Sequence, residues 1–308
     1  MKYIPLVQVC DFQGGSQPPK DQWIDHEKDG YIRMLQIRDF TQPDKDNAEY
    51  VRVSKTIKTC NEDDILIGRY GASVGKILTG LAGAYNVAII KTIPDTSKLS
   101  KRFLYHYLNS PYFQNFILSV GSRAAQAGFN KDDLSDAQIP DLSLEGQSNV
   151  VAQLDKVGEL ITLRKEQLAK LDRLVKSRFI ELFGECEEHK RLGEYTSLIT
   201  KGASPKWQGV DYCEDGTLFV TSENVREGYL DLSKRKYLDD KINEIQPRSI
   251  LKRNDLLINI VGASIGRAAV YDCDEIANIN QAVALVRVDY SQINQTYLMA
   301  FLNSPQAI

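Results

Sequence analysis

Two hexapeptides carry residue types that grip phosphate. Gly71–Lys76 reads GASVGK, and Gly262–Arg267 reads GASIGR. A nucleotide P-loop, G-x-x-x-x-G-K-[ST], turns backbone N–H groups onto phosphates and uses a hydroxyl to hold magnesium. Here Tyr70 stands where the first glycine belongs, and Ile77 follows the lysine. The loop is therefore a poor match to an ATP site. Its composition suits a phosphodiester oxygen instead. Small residues permit close approach, exposed amides and the hydroxyl of Ser73 or Ser264 donate, and Lys76 or Arg267 supplies one cation. The competing reading is a tight strand-to-strand turn with its cation in solvent.

No catalytic set accompanies these loops. Asp63 and Asp64 precede a strand, but the second copy keeps only Asp255, so a strand-leading turn is the better reading than a nuclease site. There is no [ND]-P-P-[YF] pocket for a flipped adenine, no Rossmann fingerprint, no H-E-x-x-H and no G-x-S-x-G. The five cysteines are scattered without a C-x-x-C pair and read as reduced thiols, and the three histidines lie far apart, so no metal site is expected. Further candidates for contact with phosphates or base edges lie in polar loops. They are Lys20 in GGSQPPK, Arg123, Gln126 and Lys131 in GSRAAQAGFNKDD, and Lys201 and Lys206 in TKGASPKWQG. Arg69, Asn259 and Gln281 complete the set.

The elements that position these residues occur twice. NEDDILIGRYGASVGKI (61–77) matches KRNDLLINIVGASIGRA (252–268) at an offset of 191, and FLYHYLNSP (103–111) matches YLMAFLNSP (297–305) at 194. DGYIRML (29–35) resembles DGTLFVT (215–221). Within each copy, 64–71 and 255–262 read as buried strands running into a glycine turn. YNVAIIK (85–91) and NQAVALVRV (280–288) read as further strands. Phe103, Leu104, Tyr107 and Leu108 share one face of a helix, broken at Asn109-Ser110-Pro111, after which Phe113, Phe116 and Ile117 start a second.

A different segment separates the copies. From Gln147 to Phe183 there is no proline, and Leu154, Val157, Ile161, Arg164, Leu168, Leu171, Val175, Arg178 and Leu182 recur at alternating spacings of three and four. That is a heptad seam. Ser143 is placed to cap the helix start and Gly184 to end it. About 36 helical residues would span ~54 Å, and a lone helix of that length with an apolar seam needs a partner.

The chain has 308 residues, enough for about two domains. Its net charge of −3 argues against a surface coated in positive charge but not against a local basic patch. No apolar run approaches a membrane span and residues 1–10 do not read as a signal peptide, so a cytoplasmic protein without membrane contact is expected. The expected fold class is α+β: two similar α/β domains separated by a long coiled-coil helix, with boundaries at 1–140, 141–185 and 186–308.

The stretch 128–185, the paired G-A-S-x-G-[KR] loops and the paired LNSP helices together resemble the specificity (S) subunit of type I restriction–modification systems. The resemblance implies a subunit without catalysis and without its own cofactor. Two target recognition domains would each read half of a split site in double-stranded DNA. The conserved helices would set the spacer and dock modification (M) subunits, which methylate adenine with S-adenosylmethionine. A restriction (R) subunit would add ATP- and Mg-dependent translocation and cleavage. The residues alone leave an alternative open: an interaction scaffold with two binding modules and no direct DNA reading. The family commonly carries a second conserved helix. By the repeat mapping Ile308 falls on Gln114, so the sequence stops short of a second copy of 115–184. The seam is therefore expected to pair in trans, with another copy or with an M subunit.

Overall fold

A computed structural model describes residues 2–42, 48–121, 128–185, 190–305 and 307. The chain divides into two compact units, Met1–Leu163 and Arg164–Ile308. It is an α+β protein in which two sheet-bearing regions flank a long helix in chain order.

The first unit is built on four strands, β1 (Cys10–Gly14), β2 (Leu66–Gly68), β3 (Ile77–Leu78) and β4 (Ile89–Pro94), in the spatial order β1-β4-β2-β3 with antiparallel neighbours. Side chains alternate across this sheet. Ile67 and Ile90 enter one core cluster with Phe103, Leu104, Leu108, Phe113 and Ile117 from α1 (Lys101–Asn109) and α2 (Pro111–Gly121). Their neighbours Leu66 and Ile89 enter another, with Leu35 and Tyr85. Both faces are covered at β2 and at the start of β4, so Leu66-Ile67 and Ile89-Ile90 are apolar on both sides. A second sheet contains a parallel pair, Tyr31–Leu35 beside Gly83–Tyr85.

The long helix α3 (Leu144–Phe183) has 40 residues, which corresponds to about 60 Å. The Ser143 hydroxyl accepts the Gly146 N–H at 3.2 Å, as its capping role requires. The buried Gln147 side chain donates to the Lys98 and Leu142 carbonyls and accepts the Ser100 N–H. Asp155 then receives a forked contact from Arg102 and one from His106 Nε2 at 2.7 Å. These bonds fix the first turns of α3 to α1. Beyond them the helix exposes Leu154, Val157, Ile161, Leu168, Leu171, Val175 and Leu182, each between 42% and 66%. Leu160, Leu163 and Leu174 widen this stripe. Arg164 bonds Gln167 and Arg178 pairs with Glu181, both within the helix. No second helix pairs with the seam among the described residues.

The second unit repeats the first. Strands β5 (Thr196–Lys201), β6 (Leu256–Asn259), β7 (Ala268–Val270) and β8 (Val283–Val288) take the order β5-β8-β6-β7, again antiparallel. A parallel pair joins Thr217–Val220 to Ala277–Ile279. The one-turn helix α4 (Pro205–Gln208) follows β5, and α5 (Gln295–Leu302) covers the face bearing Leu256, Ala268 and Val286. Phe179 and Phe183 of α3 pack on Tyr297 of α5, tilted and edge-on respectively, with ring centres 5.7 and 5.1 Å apart.

Two details differ from the sequence expectation. The strands β2 and β6 begin later than Asp64 and Asp255, because those carboxylates fold back on their own turns. Asp64 accepts the Asn61 N–H at 2.9 Å, and Asp255 accepts the Lys252 N–H at 2.7 Å. The expected strands 85–91 and 280–288 are each interrupted by an asparagine turn. Asn86 Oδ1 accepts the Ala88 N–H, and Asn280 Oδ1 accepts the Ala282 N–H, both at 3.1 Å.

Asp255 is fully buried and meets Arg287 through two bonds of 2.7 and 2.6 Å. Asp64 instead holds Lys91 at 2.6 Å and Lys101 at 3.2 Å. Burial pushes the Asp64 carboxyl upward, but the Asn61 amide and the two lysines outweigh it and hold it below the ordinary range. Breaking one partner of a buried pair costs roughly 3–5 kcal/mol, since the other charge stays buried. Arg287→Ala is expected to lower the unfolding free energy of the second unit by that order, read from a denaturant titration. Lys91→Ala, which leaves Lys101 on Asp64, should cost clearly less. Hydrogen bonds from Arg102, then His106, hold Asp155 below its ordinary value of 3.8. Their stabilisation is complete above that pH and is lost as pH falls through the lowered value. The urea midpoints of wild type and Asp155→Asn should therefore differ at about neutral pH and converge in acid.

Candidate nucleic-acid interface

Strand register gathers the candidate loops at one end of each four-stranded sheet. In the second unit Lys201 of β5 faces Ala284 of β8, and Asn259 of β6 faces Val283. The Asn259 N–H donates to the Arg267 carbonyl, and the Ile260 N–H to the Ala282 carbonyl. The loop after β5, the 260–267 hairpin and the turn before β8 therefore leave the same end. Gly15 and Gly202 make this possible. A Cβ on Gly15 would lie 2.0 Å from the Asn86 carbonyl oxygen, and one on Gly202 would lie 1.7 Å from that of Ile279. Only a glycine admits so close an approach. The Gly15 N–H donates to Ile89, and that of Gly202 to Val283.

The two hexapeptides are twin hairpin turns joining β2 to β3 and β6 to β7. Gly75 and Gly266 have φ of +78° and +87°, a region that glycine alone enters at no cost. The amides of Ser73, Val74, Gly75 and Lys76 donate to the carbonyls of Tyr70, Gly71, Gly68 and Ser73. Those of Ile265, Gly266 and Arg267 donate to Gly262, Asn259 and Ser264. This corrects the expected cradle of exposed amides: most of them close the turn itself. What the turns present outward is the side chains of Lys76 and Arg267, both exposed and without an ion pair among the described residues. Ser73 is half-buried, and the Ser264 hydroxyl accepts from Asn259 at 3.1 Å.

The other expected contacts fare differently. Lys201, Lys206 and Gln281 are exposed at the loop end of the second unit. Gln281 shares a cavity of about 230 Å³ with Ser204, Thr221, Glu223 and Lys236. Lys20 is exposed, but it pairs with Glu49 at 3.0 Å and lies over the Trp23 ring. Arg69 is half-buried, its Nε donating to the Phe129 carbonyl at 2.6 Å, so it ties strand to loop. Lys131 pairs with Asp11, which faces Ile93 toward the opposite end of β1, and this bond holds the Asp11 carboxyl below its ordinary range. Asn259 is a correction. It is 1% exposed, and its Nδ2 holds the Ser222 and Val225 carbonyls. It anchors the hairpin from inside and offers nothing to a ligand. Arg123 and Gln126 lie outside the described residues. Among these residues no cluster of His, Cys, Asp or Glu is arranged to hold a metal, and no helix is long and apolar enough to cross a membrane.

The same ends carry side chains that a search for polar contacts passes over. Tyr70, Val261, Ile265 and Trp207 are 42%, 55%, 64% and 88% exposed. In sequence they read as ordinary strand or turn residues, and only their exposure distinguishes them.

A family profile described as "Type I restriction modification DNA specificity domain" matches residues 1–173. The chain belongs to this family. As a member of this family of specificity subunits, the chain is not itself an enzyme. It is 24% identical over 316 residues to the Type I restriction enzyme EcoBI specificity subunit of Escherichia coli, covering 93% of this chain and 65% of that one. It is 21% identical over 300 residues to the Type I restriction enzyme MjaVIII specificity subunit of Methanocaldococcus jannaschii, covering 91% and 70%. The chain thus spans about two thirds of the length of these curated relatives. A solved chain, described as the structural basis of complex assembly and conformational transition of the type I R-M system, aligns with a TM-score of 0.57 at 18% identity. It covers 98% of this chain and 78% of that one. That likeness concerns the fold.

The loop ends should depend on their glycines and not on their cations. Gly202→Ala forces backbone apart and is expected to destabilise the second unit by about 1–3 kcal/mol or more. Arg267→Ala, at an exposed and unpaired position, should leave the thermal midpoint within about 0.5 kcal/mol of wild type.

Proposed function

We propose that this chain is the DNA-reading subunit of a type I restriction–modification assembly. Each unit presents its loop end to one half of a bipartite site in double-stranded DNA, as a target recognition domain. The observation that carries this reading is the duplicated sheet end, with an exposed, unpaired Lys76 in one copy and Arg267 in the other. Phosphate contacts position such a domain, and neighbouring side chains such as Gln281 reach base edges. The exposed apolar stripe of α3 supports a coiled-coil role. In this proposal it pairs in trans with a second helix, from another copy or from a modification subunit, and sets the distance between half-sites. Methylation with S-adenosylmethionine, and ATP- and Mg-dependent cleavage, belong to modification and restriction partners. The assembly acts in the cytoplasm.

Co-expression with a modification subunit, followed by mapping of methylated adenines, tests this directly. A bipartite motif is expected, and replacing residues 1–140 should change one half of it. A stable complex with no motif would favour the scaffold reading. On the mapped duplex, affinity should fall steeply with salt. Lys76→Ala and Arg267→Ala should each flatten the log–log slope by roughly one, with the motif unchanged.

A further inference from the structure

The two units treat their tryptophans in opposite ways. Both come after the first strand of a four-stranded sheet, Trp23 on the short strand Trp23–Ile24 that follows β1 and Trp207 on the helical turn that follows β5. Trp23 is built into its unit. Its Nε1 donates to the Pro18 carbonyl at 3.1 Å, Lys20 lies 3.7 Å over the ring, and the side chain packs against Met34, Val51 and Ala84. Trp207 is 88% exposed, the highest value among the large apolar side chains described. It has no side-chain hydrogen bond or ring contact among the described residues.

This exposure is held in place. Trp207 sits on α4, a single turn with Pro205 at its first position, where the fixed φ favours a helix. Gly209 ends the turn in the left-handed region at φ +66°, and the Val210 N–H returns to the Pro205 carbonyl at 3.1 Å. Pro205 is buried, so the turn is anchored while its Trp projects. Leaving an indole in water forgoes the burial of some 150–250 Å². A rigid turn that maintains this is built for contact with something else.

The surroundings indicate what. Lys206 adjoins the tryptophan, Lys201 and Gln281 lie on the same loop end, and the polar cavity beside Ser204 and Pro205 is lined by Gln281 and by Lys236, which pairs with Glu223 at 3.1 Å. A flat aromatic ring amid cations and amides matches a base beside its phosphates. In a duplex groove apolar groups meet base edges such as the thymine methyl, while lysines neutralise the backbone. We infer that Trp207 is a base-contacting anchor of the second unit, packing its ring against a base in the half-site which that unit reads. Trp23 of the first unit, half-buried and bonded within its own unit, is not displayed in this way. The inference rests on the DNA-reading assignment above.

The experiment uses the chain in complex with its modification subunit. Duplex affinity and the methylation motif are compared for wild type, Trp207→Ala and Trp207→Phe, with complex formation followed by gel filtration. Trp207→Ala should weaken binding about tenfold or more. It should also relax selectivity at one or two adjacent base pairs in one half-site only, with the complex intact. Trp207→Phe should retain most of both. Unchanged affinity and motif in Trp207→Ala would overturn the inference while leaving the DNA reading in place. Loss of the complex in that variant would also overturn it, by assigning Trp207 to a protein contact. Absence of any motif in wild type would remove the DNA reading itself, and the inference with it.

Discussion

Everything functional in this molecule hangs on one tight approach, made twice. Gly15 lies against the Asn86 carbonyl, and Gly202 against that of Ile279, at distances that no side chain tolerates. Each contact holds the end of the parallel pair to the end of the antiparallel sheet. The asparagine turns that follow, at Asn86 and Asn280, then direct the chain into the central strand. Three loops leave each unit together because these backbones cannot separate.

The two copies keep that frame and differ in what they place on it. Equivalent positions hold Gly68 and Asn259, Arg69 and Ile260, Lys76 and Arg267. Only the last pair is interchangeable in chemistry and exposed in both units. Asn259 fills with a buried amide a place where the first copy has a glycine packed against the Ser73 carbonyl. Charge at the sheet interior varies likewise. A lysine pair satisfies Asp64, whereas a forked arginine satisfies Asp255. The frame tolerates such exchange because the hairpin amides bond within the turn, so its shape does not depend on the side chains displayed.

The helix α3 obeys another constraint. Its first turns are fixed by Gln147 and Asp155, and its last by Phe179 and Phe183. Between these anchors it leaves a stripe of leucines, isoleucine and valines in water. A helix polar on one face and unpartnered on the other is stable only with a second apolar surface against it. Arg164 and Arg178 bond within the helix, Asp155 and Lys176 bond residues outside it, and the apolar stripe is left exposed.

The sequence alone determined the duplication, the heptad seam and the family, because repeats, periodicity and rare motifs are properties of order along the chain. It also determined the helical faces. Phe103, Leu104, Tyr107 and Leu108 are all buried, as their spacing requires. It could not determine which polar residues are free. Asn259, Arg69 and Lys131 look like contacts in a string of letters, yet each is engaged by a carbonyl or carboxylate remote in sequence. Nor could it show that the hairpin amides turn inward, or that one tryptophan is half-buried and the other displayed. Burial and hydrogen-bond partnership depend on contacts between distant segments, and those exist only once the strands have paired and the glycines have closed on their neighbours.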